Sequence, residues 1–516
     1  MSVLQCGTFF LLLGANGLFN IRPFVVFSSL SSLLTRGSYM RKSQLIIALS
    51  TMGFTGSAFA TNGMNLEGYG PIAAAMGGAS LAYDNGNAAV MNNPATLGLS
   101  AQGSRLDLAL GMLGPDVEST AGPFVANSGG DSYFMPAVGW NRKNGPLSYG
   151  VGLFAQGGMG TEYGGATFMS AGSGLPTRSE LGVGRLIAPL SYEVSPNLVI
   201  GGSLDFVWAM MDLQMAMTGA QFGDMVAGLG GTETYGSASG GLVTGLSGAL
   251  TGGLLSGVDW TYFDFSDNND YTGKTKATGW AGKLGMVYKV NDRLNLGFTY
   301  HSKTSLGDMK GDATLSMQVD VTALGDAALF GGALGGAGAN NVTIPLTGTI
   351  RIVDFQWPET YGVGMSYKAS DKLMIAADYK RINWADVMQN FQMSFTADNV
   401  AANGAFAGAS MDATLYQNWD DQNVFMIGMA YKATEALTLR AGASFASNPI
   451  PDQFMNPLFP AIEEDHYTLG FGYAFSPVSE VNFSLQVAPE VSQTNGQGVT
   501  VDHSQTSWQL MYTHRF

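Results

Sequence analysis

The segment LNLGFTYHSK (Leu294–Lys303) decides the fold class, because its polarity alternates from one residue to the next. In an extended chain, one face carries Leu294, Leu296, Phe298 and Tyr300, and the other carries Asn295, Thr299, His301 and Lys303. A short polar turn, Asn291–Arg293, separates this run from another alternating run before it. The pattern predicts a β-hairpin whose strands have one apolar and one polar face.

The same alternation recurs along the chain, in RLDLALGM (105–112), in YTLGFGYAF (467–475) and in SWQLMYTHRF (507–516), which ends in Phe516. Charged residues make up 12% of the 516 residues, whereas a soluble domain has about 25%. The mean hydropathy is +0.11 and 71 residues are Gly. After residue 60 no stretch reaches the length of about 18 apolar residues that a transmembrane helix needs. These features predict a transmembrane antiparallel β-barrel, in which alternation hides the hydrophobic residues.

The spacing of the turns predicts the number of strands. Short polar turns lie at 141–146, 195–197, 291–293, 369–372, 433–436 and 476–479. Long connections lie between them, chiefly 209–276 and 304–358. Short turns on one side and long extracellular loops on the other are typical of bacterial outer-membrane barrels. Six hairpins, with one strand before them and one after them, predict an all-β barrel of 14 strands over residues 105–516.

The N-terminal part has the layout of a secretory signal at residues 40–60, with a basic start, an apolar run and a small-residue cleavage site. This predicts that translation begins at Met40, that residues 1–39 are a mis-annotated upstream extension, and that the mature chain begins at Thr61. The alternative is a long, unusual leader.

Removing residues 1–60, which hold four basic and no acidic residues, changes the net charge from −15 to −19. Such acidity disfavours nucleic acid as a partner. The only cysteine, Cys6, lies in the removed part, so we expect a mature chain without disulfides.

Residues 61–104 are rich in Gly, Ala and Asn and do not alternate, and they are too few for a stable domain. We therefore expect them to form an N-terminal plug, or hatch, inside the barrel lumen, because a barrel this wide needs filling. In this segment Pro94 restricts its own backbone and that of Asn93, which predicts a stiff loop.

Several stretches, taken in order, resemble the FadL/TodX (OMPP1/FadL/TodX) family of outer-membrane transporters of long-chain fatty acids and other hydrophobic compounds. The stretch MGGASLAYDNGNAAVMNNPATLG (76–98) resembles the family's hatch with its Asn-Pro-Ala motif. Residues 279–313, 357–384 and 418–452 resemble its hairpins.

The resemblance implies a passive importer in the bacterial outer membrane, surrounded by lipid and lipopolysaccharide. It implies a small hydrophobic ligand, no cofactor, no metal and no enzymatic activity, and we expect a monomer. Long-chain fatty acids are the expected substrate, and aromatic or alkane hydrocarbons are the alternative. A general porin and a barrel hydrolase are the rival functions. Exit from the barrel is left open between a lateral route and a lumenal route.

Strand parity predicts an apolar ligand pocket in the lumen lined by Phe154, Val207, Val287, Met374, Ile382, Val424 and Met426. The alternative is that these side chains pack against the hatch. Three inward cations, Arg185, Lys283 and Lys303, are predicted at one height, roughly 20 Å above the short turns. They could hold a ligand carboxylate, or they could pair with acids of the lumen or hatch.

Helical spacing in the loop 209–276 predicts two apolar faces, one with Phe222, Met225, Val226 and Leu229, and one with Leu242, Leu246, Leu250 and Leu254. The resemblance makes these a capture groove for ligands. The alternative is that the two faces pack on each other.

Paired glycines, Gly157 and Gly158, interrupt a predicted strand and indicate a kink or bulge. The resemblance places a lateral opening there, whereas the simpler alternative is the start of a loop. Gating by the hatch is predicted for Asn93, Pro94 and Ala95, held by the inward residues Asp378 and Arg440. The simpler alternative is that Asp378 and Arg440 pair only with neighbouring strands.

Overall fold

The computed structural model describes residues 62–269 and 272–516. The predicted upstream extension (1–39), the signal peptide (40–60) and the start at Thr61 lie outside these residues. The described chain is dominated by 22 strands that belong to one antiparallel sheet. None of its helices is long and apolar enough to cross a membrane.

The strands occupy these ranges in chain order: β1 Gly103–Ala121, β2 Phe124–Asn127, β3 Tyr133–Asn144, β4 Leu147–Tyr163, β5 Thr177–Ser195, β6 Leu198–Thr218, β7 Gly236–Ser239, β8 Leu255–Phe265, β9 Thr275–Lys289, β10 Leu294–His301, β11 Ser305–Leu306, β12 Met309–Thr322, β13 Gly338–Val353, β14 Thr360–Lys368, β15 Leu373–Ile382, β16 Asn390–Ala397, β17 Ser410–Tyr416, β18 Gln422–Lys432, β19 Leu437–Ala446, β20 Asp465–Ser476, β21 Ser479–Thr494 and β22 Thr500–Arg515. The α-helices are α1 Pro71–Ala74, α2 Ala89–Asn92, α3 Gly219–Asp224, α4 Gly241–Thr251 and α5 Ala323–Leu329. Short 3₁₀ turns lie at Pro94–Leu99, Phe168–Ser170, Ala227–Leu229, Trp384–Asp386, Ala401–Phe406 and Asp452–Phe454.

The strands point their apolar residues outward, as the alternation predicts. On β10, Leu296 is 44% exposed, whereas Thr299, which lies on the opposite face three residues farther along, is fully buried. On β20, Tyr467 and Leu469 are about half exposed, and Thr468 between them is buried. A water-facing surface would reverse this arrangement, so the outer face is suited to lipid.

The sheet closes on itself, because the last strand pairs with the first. On β22, Trp508 lies opposite Met112 of β1, and Tyr512 lies opposite Leu108. From β1 the pairing continues through β3, β4, β5, β6, β9, β10, β14, β15, β18, β19, β20 and β21 to β22. Closure gives every strand of this ring a partner on both sides, which removes the open sheet edge that a membrane does not tolerate.

Two further strands insert between β6 and β9 beyond the stretch where these pair directly. There β8 pairs with β6, β12 pairs with β8, and Lys310 of β12 pairs with Lys276 of β9. Counted with these two, the closed barrel has sixteen strands, and the predicted number of fourteen is wrong. The prediction counted only strands next to short turns, and so it missed the strands that form inside the predicted loops 209–276 and 304–358.

The lumen is filled by residues 62–100, which we call the hatch. Almost all of its side chains are buried, including the whole of α1 and α2. Glycines of the wall let it approach closely: a Cβ at Gly201 would overlap the backbone of Ala95, and one at Gly297 would overlap the carbonyl of Leu81. The inward, polar faces of the barrel strands are therefore closely packed against the hatch.

Candidate functional site

The barrel wall opens between β3 and β4. Their pairing runs from Asn144–Leu147 only as far as Val138–Leu153. Farther along, β4 continues to Tyr163 paired with β5, while β3 continues to Tyr133 paired with β1. In the part of the chain that the structure describes, these two strand segments have no pairing with each other.

A cavity of about 400 Å³, which we call the wall cavity, occupies this gap. Its lining includes Phe154, Gly158, Leu181, Val183, Trp208 and Gln505. The pairing of β4 with β5 shifts by one residue between Ala155 and Gly157, which is a β-bulge. Both predicted glycines, Gly157 and Gly158, line the cavity, and their role as a lateral exit stays a prediction.

The hatch contacts the bulge that borders the wall cavity. Asn65 forms a β-bridge with Gly157, and a Cβ at Gly157 would overlap the carbonyl of Met64. The Oδ1 atom of Asn65 accepts hydrogen bonds from Gln156 Nε2 (3.0 Å) and from Trp357 Nε1 (2.8 Å). The start of the hatch is thereby tied to the bulge, and glycine at position 157 is required for that close approach.

The Asn-Pro-Ala segment is buried where the hatch meets β9 and β6. Asn93 donates through Nδ2 to the carbonyl of Leu81 (2.7 Å) and accepts at Oδ1 from the backbone N–H of Ala95 (3.1 Å). Pro94 begins the 3₁₀ turn, where its missing N–H costs nothing. A side chain at Gly285 of β9 would overlap Asn93 Oδ1, so the wall is shaped around this segment.

The two residues predicted to hold the hatch differ in what they contact. Asp378 Oδ2 accepts from the backbone N–H groups of Ser80 (2.6 Å) and Leu81 (3.0 Å), so it does bind the hatch, outside the Asn-Pro-Ala segment. Arg440 donates to Asn482 Oδ1 (3.0 Å) of a nearby strand. This contact agrees with the simpler alternative, in which Arg440 pairs with strands and does not hold the hatch. A gating role for either residue stays a prediction.

The sequence reasoning missed a stronger link, at β1. Arg105 donates to both carboxylate oxygens of Asp84 in the hatch, at 2.7 and 3.0 Å. Asp107 accepts from the backbone N–H of Asn87 (2.7 Å). The inward parity of Arg105 and Asp107 was visible in RLDLALGM, but nothing in the sequence identified Asp84 as the partner.

One hatch carboxyl group has unusual acid–base properties. Glu67 is 2% exposed, and burial raises its pKa to about 7. Its backbone hydrogen bond and the charge of Lys380 oppose that shift. A group with this pKa changes charge in the neutral range, where a solvent-exposed Glu does not.

Two of the three predicted cations come together and the third does not. Arg185 donates to Asp205 Oδ2 at 2.9 Å, and Lys283 pairs with the same oxygen. All three side chains are at most 2% exposed. Lys303 is exposed and lies outside this cluster. Two cations on one carboxylate leave the cluster with one net positive charge.

The predicted lumen residues belong to apolar clusters that also contain hatch residues. Phe154 clusters with Leu66 and Tyr69 of the hatch, and Val287 clusters with Ala95. The others belong to one large apolar cluster, in which Met374 is half-buried and the rest are buried: Val207, Ile382, Val424 and Met426. Phe154 is the member that also lines the wall cavity.

A second cavity, of about 560 Å³, lies among the extracellular connections, and we call it the outer cavity. Its lining includes Met169, Met215, Met217, Met225, Phe454 and Met455. Of the eight predicted groove residues, Met225 lines it. The others pack together in the large apolar cluster: Phe222, Val226, Leu242 and Leu246 are buried, and Leu229, Leu250 and Leu254 are half-buried. A Met-rich lining adapts to ligands of varied shape.

Comparison with known proteins agrees with this architecture. A family model described as outer membrane protein transport protein (OMPP1/FadL/TodX) matches residues 47–513. The crystal structure of the toluene transporter TodX of P. putida is 31% identical, with 88% of this chain and 99% of that chain covered and a TM-score of 0.74. The toluene transporter TbuX of Ralstonia pickettii is 32% identical, with 88% and 99% covered and a TM-score of 0.67.

Curated relatives match over shorter segments. An uncharacterized protein of Chlorobium limicola is 61% identical over 61 residues, which are 12% of this chain. The chain spans about a third of the length of the curated relatives that it matches.

Proposed function

Because the chain belongs to the OMPP1/FadL/TodX family of outer-membrane transport proteins, we propose that it imports small, uncharged hydrophobic compounds through the opening between β3 and β4. The protein is located in the bacterial outer membrane, and its family transports hydrophobic compounds and is not an enzyme family. The predicted resemblance is therefore confirmed.

The observation that carries the proposal is the wall cavity. A closed barrel gains from pairing every strand segment, because unpaired backbone groups are costly in a membrane. Here β3 and β4 part above Val138 and Leu153, and an apolar space of about 400 Å³ takes the place of their pairing. The outward residues Phe134 and Leu153 line the gap together with the inward Phe154, so a hydrophobic compound in it could leave sideways without entering water.

The ligand class follows from the charges of the lumen. Asp205 already occupies the position that a ligand carboxylate would take between Arg185 and Lys283. An anionic ligand would compete with it, whereas an uncharged hydrocarbon would not. The names of TodX and TbuX, each a toluene transporter at 31–32% identity, point to monoaromatic hydrocarbons.

Long-chain fatty acids, the substrate first expected from the sequence, are the second candidate. The net positive charge of the Arg185–Asp205–Lys283 cluster supports it, since a carboxylate near the cluster would be attracted. The packed hatch argues against a general porin, because residues 62–100 fill the space that a water-filled channel would need.

Uptake by liposomes or whole cells tests the proposal. A Cβ at Gly182, which lines the wall cavity, would have no heavy atom within 4 Å, so Gly182→Phe should fill the gap without distorting β5. We expect uptake of labelled toluene to fall several-fold. Gly164→Phe is the matched control, because Gly164 is equally open but does not line the cavity. Unchanged uptake by the Gly182 variant would contradict lateral exit, and faster uptake of laurate than of toluene would favour the second candidate.

A further inference from the structure

The connection between β19 and β20, residues 447–464, turns into the barrel, and we call it the inner loop. Three of its side chains, Met455, Leu458 and Ile462, are at most 3% exposed. Residues 453–458 line the outer cavity, and Pro460 lines the wall cavity. Within the described residues, no side chain lines both cavities, so the inner loop lies between them.

The middle of the inner loop is fixed to strands on the far side of the opening. The carbonyl of Leu458 accepts hydrogen bonds from Thr161 Oγ1 (3.1 Å) and from Ser179 Oγ. The carbonyl of Pro457 accepts from Tyr163 OH (3.2 Å). These three donors lie on β4 and β5, whereas the loop comes from β19 and returns to β20. The loop therefore crosses in front of β22 and β1 to reach the opening.

A buried charged pair fixes the returning part of the loop. Glu463 is fully buried, and its Oε1 lies 2.5 Å from Nε2 of His503 on β22. His503 Nδ1 lies 2.7 Å from the carbonyl of Pro460, a distance at which it can donate. The contact between Glu463 and His503 is a close ion pair, and both side chains are buried.

This pair is poorly suited to adding stability alone. Burying both charges carries a desolvation cost that offsets much of the attraction within the ion pair. A contact of that kind fixes the position of the loop, because separating the two groups would leave a buried charge without a partner. His503 also lines the wall cavity, so a ligand entering that cavity would meet one side of the pair.

We infer that the inner loop is a movable partition between the outer cavity and the wall cavity, and that Glu463 and His503 are positioning residues that hold it closed. The inference rests on the proposed function, because the moving loop supplies a step of that transport, the passage of a ligand from the outer cavity to the wall cavity. A ligand bound among the extracellular connections reaches the opening when the Pro457–Ile462 stretch moves away from β4 and β5.

The first test needs no substrate. Cys6 is the only cysteine of the chain, so Val183→Cys combined with Cys6→Ser places a single thiol in the wall cavity. Its reaction with a charged, membrane-impermeant methanethiosulfonate added outside cells reports access from the outer side. Glu463→Ala should speed this reaction by about tenfold, because it leaves His503 without its partner. Glu463→Gln should have a smaller effect in the same direction.

Glu464→Ala is the matched control, since Glu464 is the neighbouring carboxylate and is exposed. Heat-modifiable migration in gels confirms that each variant still forms the barrel. Equal reaction rates in the Glu463 and Glu464 variants, with the barrel intact, would overturn the role of the pair.

The second test ties the loop down. Thr161→Cys with Leu458→Cys joins β4 to the inner loop, either as a disulfide or through a short bifunctional methanethiosulfonate. We expect the crosslinked protein to lose toluene uptake and the reductant to restore it, which a misfolded barrel would not show. Undiminished uptake by the crosslinked protein would overturn the partition, and a pair that never crosslinks would contradict the position of the loop. Absence of toluene uptake in both states would count against the proposed function, while the thiol-access result would still decide the inference.

Discussion

Replacing Asp205 by Asn should weaken the barrel and at the same time create a binding site for carboxylates. Asp205 is the shared partner of Arg185 and Lys283, and all three side chains are buried. Asn keeps the shape and the oxygen but removes the charge. Removing one partner of a buried ion pair costs about 3–5 kcal/mol, because the remaining charge is left without compensation. Here two cations would be left, so we expect a loss of free energy of unfolding in this range.

The freed cations should then favour an anionic ligand. A hydrogen bond to a charged group contributes about 1.5–3 kcal/mol, which corresponds to roughly tenfold to hundredfold in affinity. Laurate and 1-dodecanol have the same chain length and differ in charge, so their affinity ratio isolates the carboxylate. We expect Asp205→Asn to shift this ratio towards laurate and to leave toluene binding unchanged.

Guanidinium unfolding, followed by tryptophan fluorescence, measures the first effect, and binding titrations in detergent measure the second. Asp421→Asn is the control, because its pair with Arg381 is partly exposed and should contribute at most about 1 kcal/mol. A variant with wild-type stability, or one with equal affinity changes for laurate and 1-dodecanol, would refute the reasoning.

Three further predictions concern the hatch. Asp378→Asn should weaken the two backbone hydrogen bonds that the carboxylate accepts, so hydrogen exchange in the hatch should become about tenfold faster or more. An unchanged exchange rate would contradict the role of Asp378 as an anchor of the hatch. Gly285→Ala should displace Asn93 and make the hatch more susceptible to limited proteolysis, whereas Gly182→Ala, whose added Cβ meets open space, should not. Equal resistance of the two variants to the protease would be inconsistent with the close fit of Asn93 against Gly285. Burial raises the pKa of Glu67 to about 7, so the folded state binds a proton more tightly than the unfolded state does. The contribution of Glu67 to hatch stability should therefore be full below about pH 4.5 and be lost as pH rises through 7. Glu67→Gln should abolish this part of the pH dependence in exchange measurements between about pH 5 and 8.

The fold class and much of the topology could be predicted from local patterns. All six short polar turns predicted from the sequence join consecutive strands in the structure, for example 369–372 between β14 and β15. Alternation correctly assigned Leu296 and Tyr467 to the outer face. The strand number failed because β8 and β12 arise within long connections, where no short turn marks them. Their pairing partners lie tens of residues away across irregular connections, and the alternation of polarity and the turn residues do not reveal such pairings.

The sequence by itself determined which face of each strand meets lipid, because side-chain direction in a strand follows from residue parity alone. It also determined that the Asn93-Pro94 segment is stiff and irregular, since proline restricts both residues. Only the tertiary structure decided which buried charges meet: Arg185 and Lys283 share Asp205, Lys303 stays outside, and Asp84 finds Arg105. It also decided where the wall opens and that the inner loop crosses that opening. These features depend on which segments the closing of the barrel around the hatch brings together. Their separation along the chain runs from 20 residues, for Arg185 and Asp205, to 297 residues, for Thr161 and Leu458.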